Sequence, residues 1–271
     1  VGRLQPLSRN EARRLWRAII EFDMLDKGDR VLIGLSGGKD SLYLAHLLSA
    51  VRRYAPMPFE LAAVTLDVGF AEVDYSSLHR FCSAREIPFE LLYLDMARHI
   101  LEEGNRQGPC AVCAYFRRGA LCRYAAEKGF NKLALAHHHD DAVETFLMSI
   151  LYSGQIKVFE PVSLMERTGI TVIRPLAYFR ESNIKASNIF KEIIPLHAGC
   201  PVCKDTQRAR VKELIKELRR ENRSIYDNLS GAMRYGKAIT LWPAEPGKGE
   251  MLERHRNFYN KYKHDRGLRK G

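Results

Sequence analysis

Apolar positions along this chain fall into two alternating rhythms. Leu15, Trp16, Ile19 and Ile20 share one face of a helical stretch, and Ser8 and Glu11 ahead of it have capping-box spacing. Lys27-Gly28-Asp29 is expected to end that segment. Arg30-Val31-Leu32-Ile33-Gly34 then reads as a short buried strand, followed by a Gly-rich turn and a helix carrying Leu42, Leu44, Leu47, Leu48 and Val51. Further strands are expected at Leu61–Leu66, Phe89–Leu94, Lys132–Ala136 and Thr171–Ile173, with helices near Tyr75–Arg85, Val112–Lys128 and Asp140–Tyr152. Short strands alternating with amphipathic helices predict a parallel sheet covered on both faces, with ligands at the carboxyl ends of the strands. After Pro195 the pattern turns helical and basic, with Thr206–Glu221 the clearest helix. The expected organisation is an N-terminal helical segment (1–28), an α/β domain (29–195) and a basic helical C-terminal region (196–271).

Charge changes this picture more than composition does. The 271 residues are 46% hydrophobic and 28% charged, ordinary values for a globular protein. No apolar run approaches the roughly 18 residues of a membrane span. Val1 to Arg9 lack the apolar core of a signal peptide, so a cytoplasmic location is expected. Because the chain opens on Val, a few native residues are expected to be missing. Of the net +11, +9 lies in Lys204–Gly271, where 18 Lys and Arg stand against 9 Asp and Glu. Such asymmetry points to a polyanionic partner, because neutralising phosphates releases counterions. Phe258, Tyr259 and Tyr262 interleave with Arg254, Arg256, Lys261 and Lys263, which suits base stacking beside phosphate contacts and tilts the reading toward RNA. A solvated basic tail is the plainer alternative.

Ser36-Gly37-Gly38-Lys39-Asp40-Ser41, after Leu35, joins the first strand to its helix. Glycines let backbone amides converge on phosphate oxygens, and the helix N-terminus adds a favourable dipole. Lys39 supplies a point charge, and Asp40 can help hold a magnesium ion. The Walker A pattern fails, since Ile33 stands where it needs Gly and Asp40 where it needs Ser or Thr. The segment instead resembles the PP-loop, SGGxDS, of ATP pyrophosphatases, which cleave ATP between the α and β phosphates.

Two C-x-x-C pairs, Cys110/Cys113 and Cys200/Cys203, are separated by 86 residues, so a joint site must be assembled by the fold. In a cytosolic protein such pairs bind metal or do redox chemistry more often than they form disulfides. A Cys₄ zinc site and a [4Fe-4S] cluster on three or four of these cysteines both satisfy the spacing. Arg117 and Arg118 follow the first pair and would lower thiolate pKa values there, or else are plain helix-surface arginines. Cys82 and Cys122 are expected to be buried core thiols. His137-His138-His139-Asp140-Asp141 follows the fourth expected strand, with Glu144 one turn on. These residues suit a transition metal, magnesium on ATP phosphates, or a catalytic base; the alternative is that the two aspartates only complement a helix dipole.

LSGGKDSL, PCAVCAYFRRGAL, LAHHHDDAVETFLMSILYSGQIK, IRPLAYFRE and CPVCKDTQRARV occur in this order between about Asp29 and Leu218. Together they resemble the tRNA 2-thiocytidine synthetases, the TtcA family. The resemblance implies a Rossmann-like, doubly wound PP-loop (HUP-type) α/β fold. It also implies ATP and Mg²⁺, a [4Fe-4S] cluster with zinc as the alternative metal, tRNA as substrate, a sulfur donor such as a cysteine desulfurase, no membrane, and a homodimer. Carried over by position, Cys110 and Cys113 match the family's first ligand pair, and the third ligand is Cys200, preferred over Cys203. Asp141 matches a carboxylate regarded as catalytic in relatives, and Arg117 stands where some carry a catalytic lysine. Leu35, Ser36 to Ser41, Asp67 and His137 would bind nucleotide. Ala136 replaces a usual glycine and Val68 a common glutamine. The implied reaction adenylates C2 of an unpaired tRNA cytidine, releases pyrophosphate and replaces AMP with sulfur. Alternatives are a 2-thiouridine synthetase, a zinc-stabilised PP-loop RNA ligase or amidase, and an RNA-binding module with a vestigial nucleotide site.

Overall fold

The structure is a computed structural model describing residues 7–94, 97, 109–196, 206–234 and 247–263. Chain contacts divide it into two compact units, 1–233 and 234–271. In the first unit, α1 (Arg9–Glu21) starts at the expected capping box: Glu11 N–H donates to Ser8 Oγ, and Ser8 N–H donates to the Glu11 carboxylate at 2.9 Å. Leu15, Ala18 and Ile19 are buried against the sheet domain, but Ile20 is 70% exposed, contrary to the face expected from its spacing. Ile20 follows Ile19 by about 100° around the helix, which carries it off the buried stripe.

Six strands form one sheet: β1 (Arg30–Gly34), β2 (Glu60–Asp67), β3 (Phe89–Tyr93), β4 (Lys132–Ala134), β5 (Val162–Met165) and β6 (Ile170–Ile173). Their order is β3-β2-β1-β4-β6-β5. Every pairing is parallel except β5 with β6, an antiparallel edge hairpin. The expected sheet was wholly parallel, and β5 is the strand the pattern did not reveal. Val162-Ser163-Leu164-Met165 is short, lies at the edge and leaves Leu164 exposed, so its apolar signal is weak.

The buried strands show why the domain has two covered faces. Val31 and Ile33 pack with Leu15, Leu44, Leu48 and Phe81, whereas Leu32 between them packs with Leu121, Ala125, Leu133 and Val172. Period-two alternation thus places α1, α2 (Lys39–Arg52) and α3 (Ser76–Ser83) on one face and α4 (Pro109–Glu127) on the other. Cys82 and Cys122 are buried in these two cores, as expected. α5 (His139–Ser153) follows β4, and a short helix, α6 (Glu181–Lys185), follows β6. α7 (Gln207–Glu221) and α8 (Ile225–Ala232) dock on α5 through Val143, Val211, Ile215 and Tyr226. In the second unit, α9 (Lys248–Lys263) carries exposed Met251, Leu252 and Phe258. Among the described residues no helix is long and apolar enough to cross a membrane.

Strand order reverses direction at β1: β2 and β3 lie to one side, β4 and β6 to the other. The loops leaving β1 and β4 therefore diverge at their carboxyl ends and open a crevice, the place where open α/β sheets bind ligands.

Candidate active site

The loop after β1 is shaped to leave donors free. Gly38 caps α2 with no side chain accepting from the first turn, so those amides are available to an anion. Gly37 has φ of +80°, and its carbonyl accepts from Leu196 N–H at 2.9 Å. A Cβ on Gly37 would meet Leu196 Cβ at 3.1 Å. Replacing Gly37 by alanine combines a left-handed residue with this close approach, at a cost of roughly 1–3 kcal/mol. Weakened nucleotide affinity together with a lowered thermal midpoint is expected, and equilibrium nucleotide titration beside thermal unfolding checks both. Ser41 Oγ donates to Gly38 carbonyl at 2.9 Å and lies 3.1 Å from Ser36 Oγ, closing the loop on itself.

Above the loop is a cleft of about 340 Å³. Its walls include Leu35, Ser36, Gly38, Asp40 and Ser41 from the loop, His137 and Asp141 from the β4–α5 turn, and Arg117 and Arg118 from α4. Val64, Leu66, Leu121 and Leu135 make an apolar floor fit for a flat aromatic base. Arg117 and Arg118 both line the cleft from α4, and neither forms a salt bridge among the described residues. Asp67, at the end of β2 and expected to bind nucleotide, accepts from Gly69 N–H at 2.9 Å and is not among the residues that line the cleft.

Lys39 points toward Glu181, 3.2 Å away, and its Nζ lies 2.8 Å from Asp40. Burial pulls its pKa down, but Asp40 and Glu181 outweigh burial and leave it raised. Glu181 also receives Lys212 at 2.7 Å and Lys185 at 3.2 Å. Burial would raise its carboxyl, but Lys212 and Lys39 bring it down to about 2.

The three histidines do three different things. His137 lines the cleft with its ring 5.1 Å from Phe159. Its buried Nδ1 has no partner among the described residues, and burial together with nearby Arg174 lowers its pKa to about 4. A neutral ring with an unsatisfied nitrogen suits a polar group of a bound molecule. His138 is the N-cap of α5: Asp141 N–H donates to its Nδ1 at 3.3 Å, and its own N–H donates to Asp141 Oδ2 at 2.9 Å. His139 lies 2.8 Å from Tyr226 hydroxyl and 3.0 Å from Ser230 Oγ, which fastens α8. The rings thus diverge, and no group of three His, Cys, Asp or Glu among the described residues is placed to hold a metal ion.

The aspartates divide likewise. Asp140 accepts from Arg180 Nε at 3.2 Å and from Glu181 N–H at 2.8 Å, which braces the chain after β6. Asp141 faces the cleft and accepts from Arg208 at 3.3 Å. Glu144, buried one turn on, has its pKa pushed up to about 7 by burial and by Asp141, against the pull of Arg208.

The PP-loop domain family matches residues 8–218. The chain is 39% identical to the tRNA-cytidine(32) 2-sulfurtransferase of Geobacter metallireducens, over 80% of this chain and 86% of that one. It is 38% identical to the protein of the same name from Legionella pneumophila, over 83% and 80% of the two chains. The chain belongs to this sulfurtransferase family of PP-loop proteins. Its fold is similar to the U34-tRNA thiolase NcsA from Methanococcus maripaludis with its [4Fe-4S] cluster: TM-score 0.66, 22% identity, 82% of this chain and 77% of that one.

Cys113 lies on α4, one turn before Arg117, with its side chain half-buried. The side chain of Cys110, and Cys200 and Cys203 altogether, lie outside the described residues. Glu181, Lys212, Arg208 and the apolar floor were not anticipated from the sequence, and Arg118, singled out beside the cysteines, proves to line the cleft. Only the floor had a local signal: Val64 and Leu66 share one face of β2, on the side of α4.

Proposed function

We propose that the protein is an ATP-dependent tRNA sulfurtransferase that replaces the C2 oxygen of a cytidine in the anticodon loop with sulfur, position 32 being that named for its relatives. The observation that carries this reading is the convergence of the Ser36–Ser41 loop, Asp141, Arg117 and His137 on one cleft with an apolar floor. ATP would lay its adenine on Val64 and Leu66 and its phosphates on the free amides of α2. Magnesium would be held by Asp40. Lys39 and Arg117 would offset charge on the phosphates as the cytidine C2 oxygen attacks the α-phosphorus and pyrophosphate leaves. Asp141, facing the same space, is placed to orient the reacting groups or take a proton from them.

Cys110, Cys113 and Cys200 would hold a [4Fe-4S] cluster, which when bound supplies the sulfur that replaces AMP at C2. Consistent with this, α4 carries Cys113 and the cleft arginines on successive turns, so one rigid element spans both functions. The basic second unit supplies phosphate contacts to tRNA, with Arg254 and Arg256 on α9. The reading is tested by incubating anaerobically purified protein with ATP, a sulfide source and unmodified tRNA. Pyrophosphate release that requires tRNA, 2-thiocytidine in the digested product, and about four iron and four sulfide per chain are expected. Stoichiometric zinc without iron, or pyrophosphate release without thiolated product, would replace this reading by a different nucleophile on the same adenylating site.

A further inference from the structure

Asp141 is gripped on both oxygens, and only one grip belongs to its own turn. Oδ2 accepts from His138 N–H at 2.9 Å. Oδ1 accepts from Nη1 of Arg208 at 3.3 Å, and the same nitrogen reaches Glu144 Oε2 at 3.4 Å. Nη2 of Arg208 donates to Thr145 Oγ1 at 3.1 Å. One guanidinium therefore ties together three side chains from the first two turns of α5. Asp141 and Glu144 stand three residues apart on one helical face, where two carboxylates repel unless a cation sits between them. Arg208 occupies that place from α7, five residues past Cys203. One turn further, Lys212 reaches Glu181, the carboxylate that also holds Lys39.

Docking of α7 does not need this contact. Val211 and Ile215 already bury themselves against Val143 and Tyr226. Arg208 is about two-fifths exposed, so its ion pairs add little to stability. A planar fork aimed at fixed acceptors is suited to orientation instead.

We propose that Arg208 is a positioning residue that aims Asp141 into the cleft and thereby ties the chain leaving the second cysteine pair to the adenylating site. The proposal rests on the catalytic role given to Asp141 above. It is tested with a cycle of Arg208→Ala, Asp141→Asn and the double variant in the full chain, measured with ATP and tRNA by single-turnover pyrophosphate release. Arg208→Ala is expected to lower the rate about 10- to 100-fold, the usual effect of removing an orienting partner. The KM for ATP and the thermal midpoint should change little, and Arg208→Lys should restore only part of the rate. In the Asp141→Asn background the Arg208→Ala change should add almost nothing, because a residue acting through another loses its effect when that other is gone. Losses that multiply, or an unaltered rate in Arg208→Ala, would overturn the proposal. If the alanine variant loses its cooperative transition, Arg208→Gln, which keeps the stem, takes its place in the cycle. Wild-type protein that releases no pyrophosphate with tRNA would sink the parent reading itself.

Discussion

Replacing Cys113 by alanine is expected to bring thiolated product below detection while tRNA-dependent pyrophosphate release continues. The two activities draw on different parts of α4. Cys113 sits near the start of the helix, three residues after Cys110. Ala114, Arg117 and Arg118 line the cleft from the following turn. Alanine would remove the proposed thiolate ligand but leave helix, arginines and nucleotide loop as they are. The other thiols provide the contrast. Burial pushes Cys82 up to about 12 and raises Cys122 as well, so both remain protonated and unreactive inside the two cores. Alanine at either should change stability and spare thiolation. Nucleoside mass spectrometry of the tRNA, run beside the pyrophosphate measurement, separates the cases. Wild-type thiolation in Cys113→Ala would show that sulfur does not reach C2 by way of this cysteine pair. Parallel loss of both activities in a stably folded variant would assign Cys113 to the adenylation step instead.

Most of the sheet was legible because its strands are short apolar runs between turn residues. Arg30–Gly34 is matched to the residue, and Phe89–Tyr93 and Ile170–Ile173 to within one. β5 escaped because an edge strand of four residues, interrupted by Ser163 and with Leu164 exposed, carries only a short apolar signal. The nucleotide loop was legible because SGGKDS is local: its conformation needs glycine at φ +80° and a helix immediately behind. HHHDD announced a site but not the division of labour within it. That division depends on Tyr226 and Ser230, which occupy His139, and on Arg180, which occupies Asp140. All three lie tens of residues away in the chain. Arg208 and Lys212 are harder still, since helical spacing in α7 reads only as a basic face until α5 and Glu181 are placed against it.

Replacing Lys39 by methionine should lower single-turnover pyrophosphate release by about 10²–10³-fold, the loss typical when one preorganised electrostatic donor is removed. Methionine keeps most of the stem, so the change is chiefly one of charge. In the structure that charge is already engaged: Asp40 and Glu181 hold the ammonium and raise its pKa, which keeps Lys39 protonated throughout neutral pH. On the proposed function, arriving triphosphate would compete with Glu181 for the same cation, and Glu181 could give it up because Lys212 and Lys185 remain on its carboxylate. Removing Lys39 would take away the countercharge and also leave Asp40 and Glu181 with one cation fewer. Nucleotide binding should therefore weaken along with the rate. Glu181→Gln tests the same competition from the other side: with Lys39 freed from its carboxylate, nucleotide affinity should be kept or improved. A Lys39→Met protein that adenylates within a few-fold of wild type would make Lys39 a brace for Glu181 and α7. The amides of α2 and Arg117 would then carry the phosphate chemistry without it.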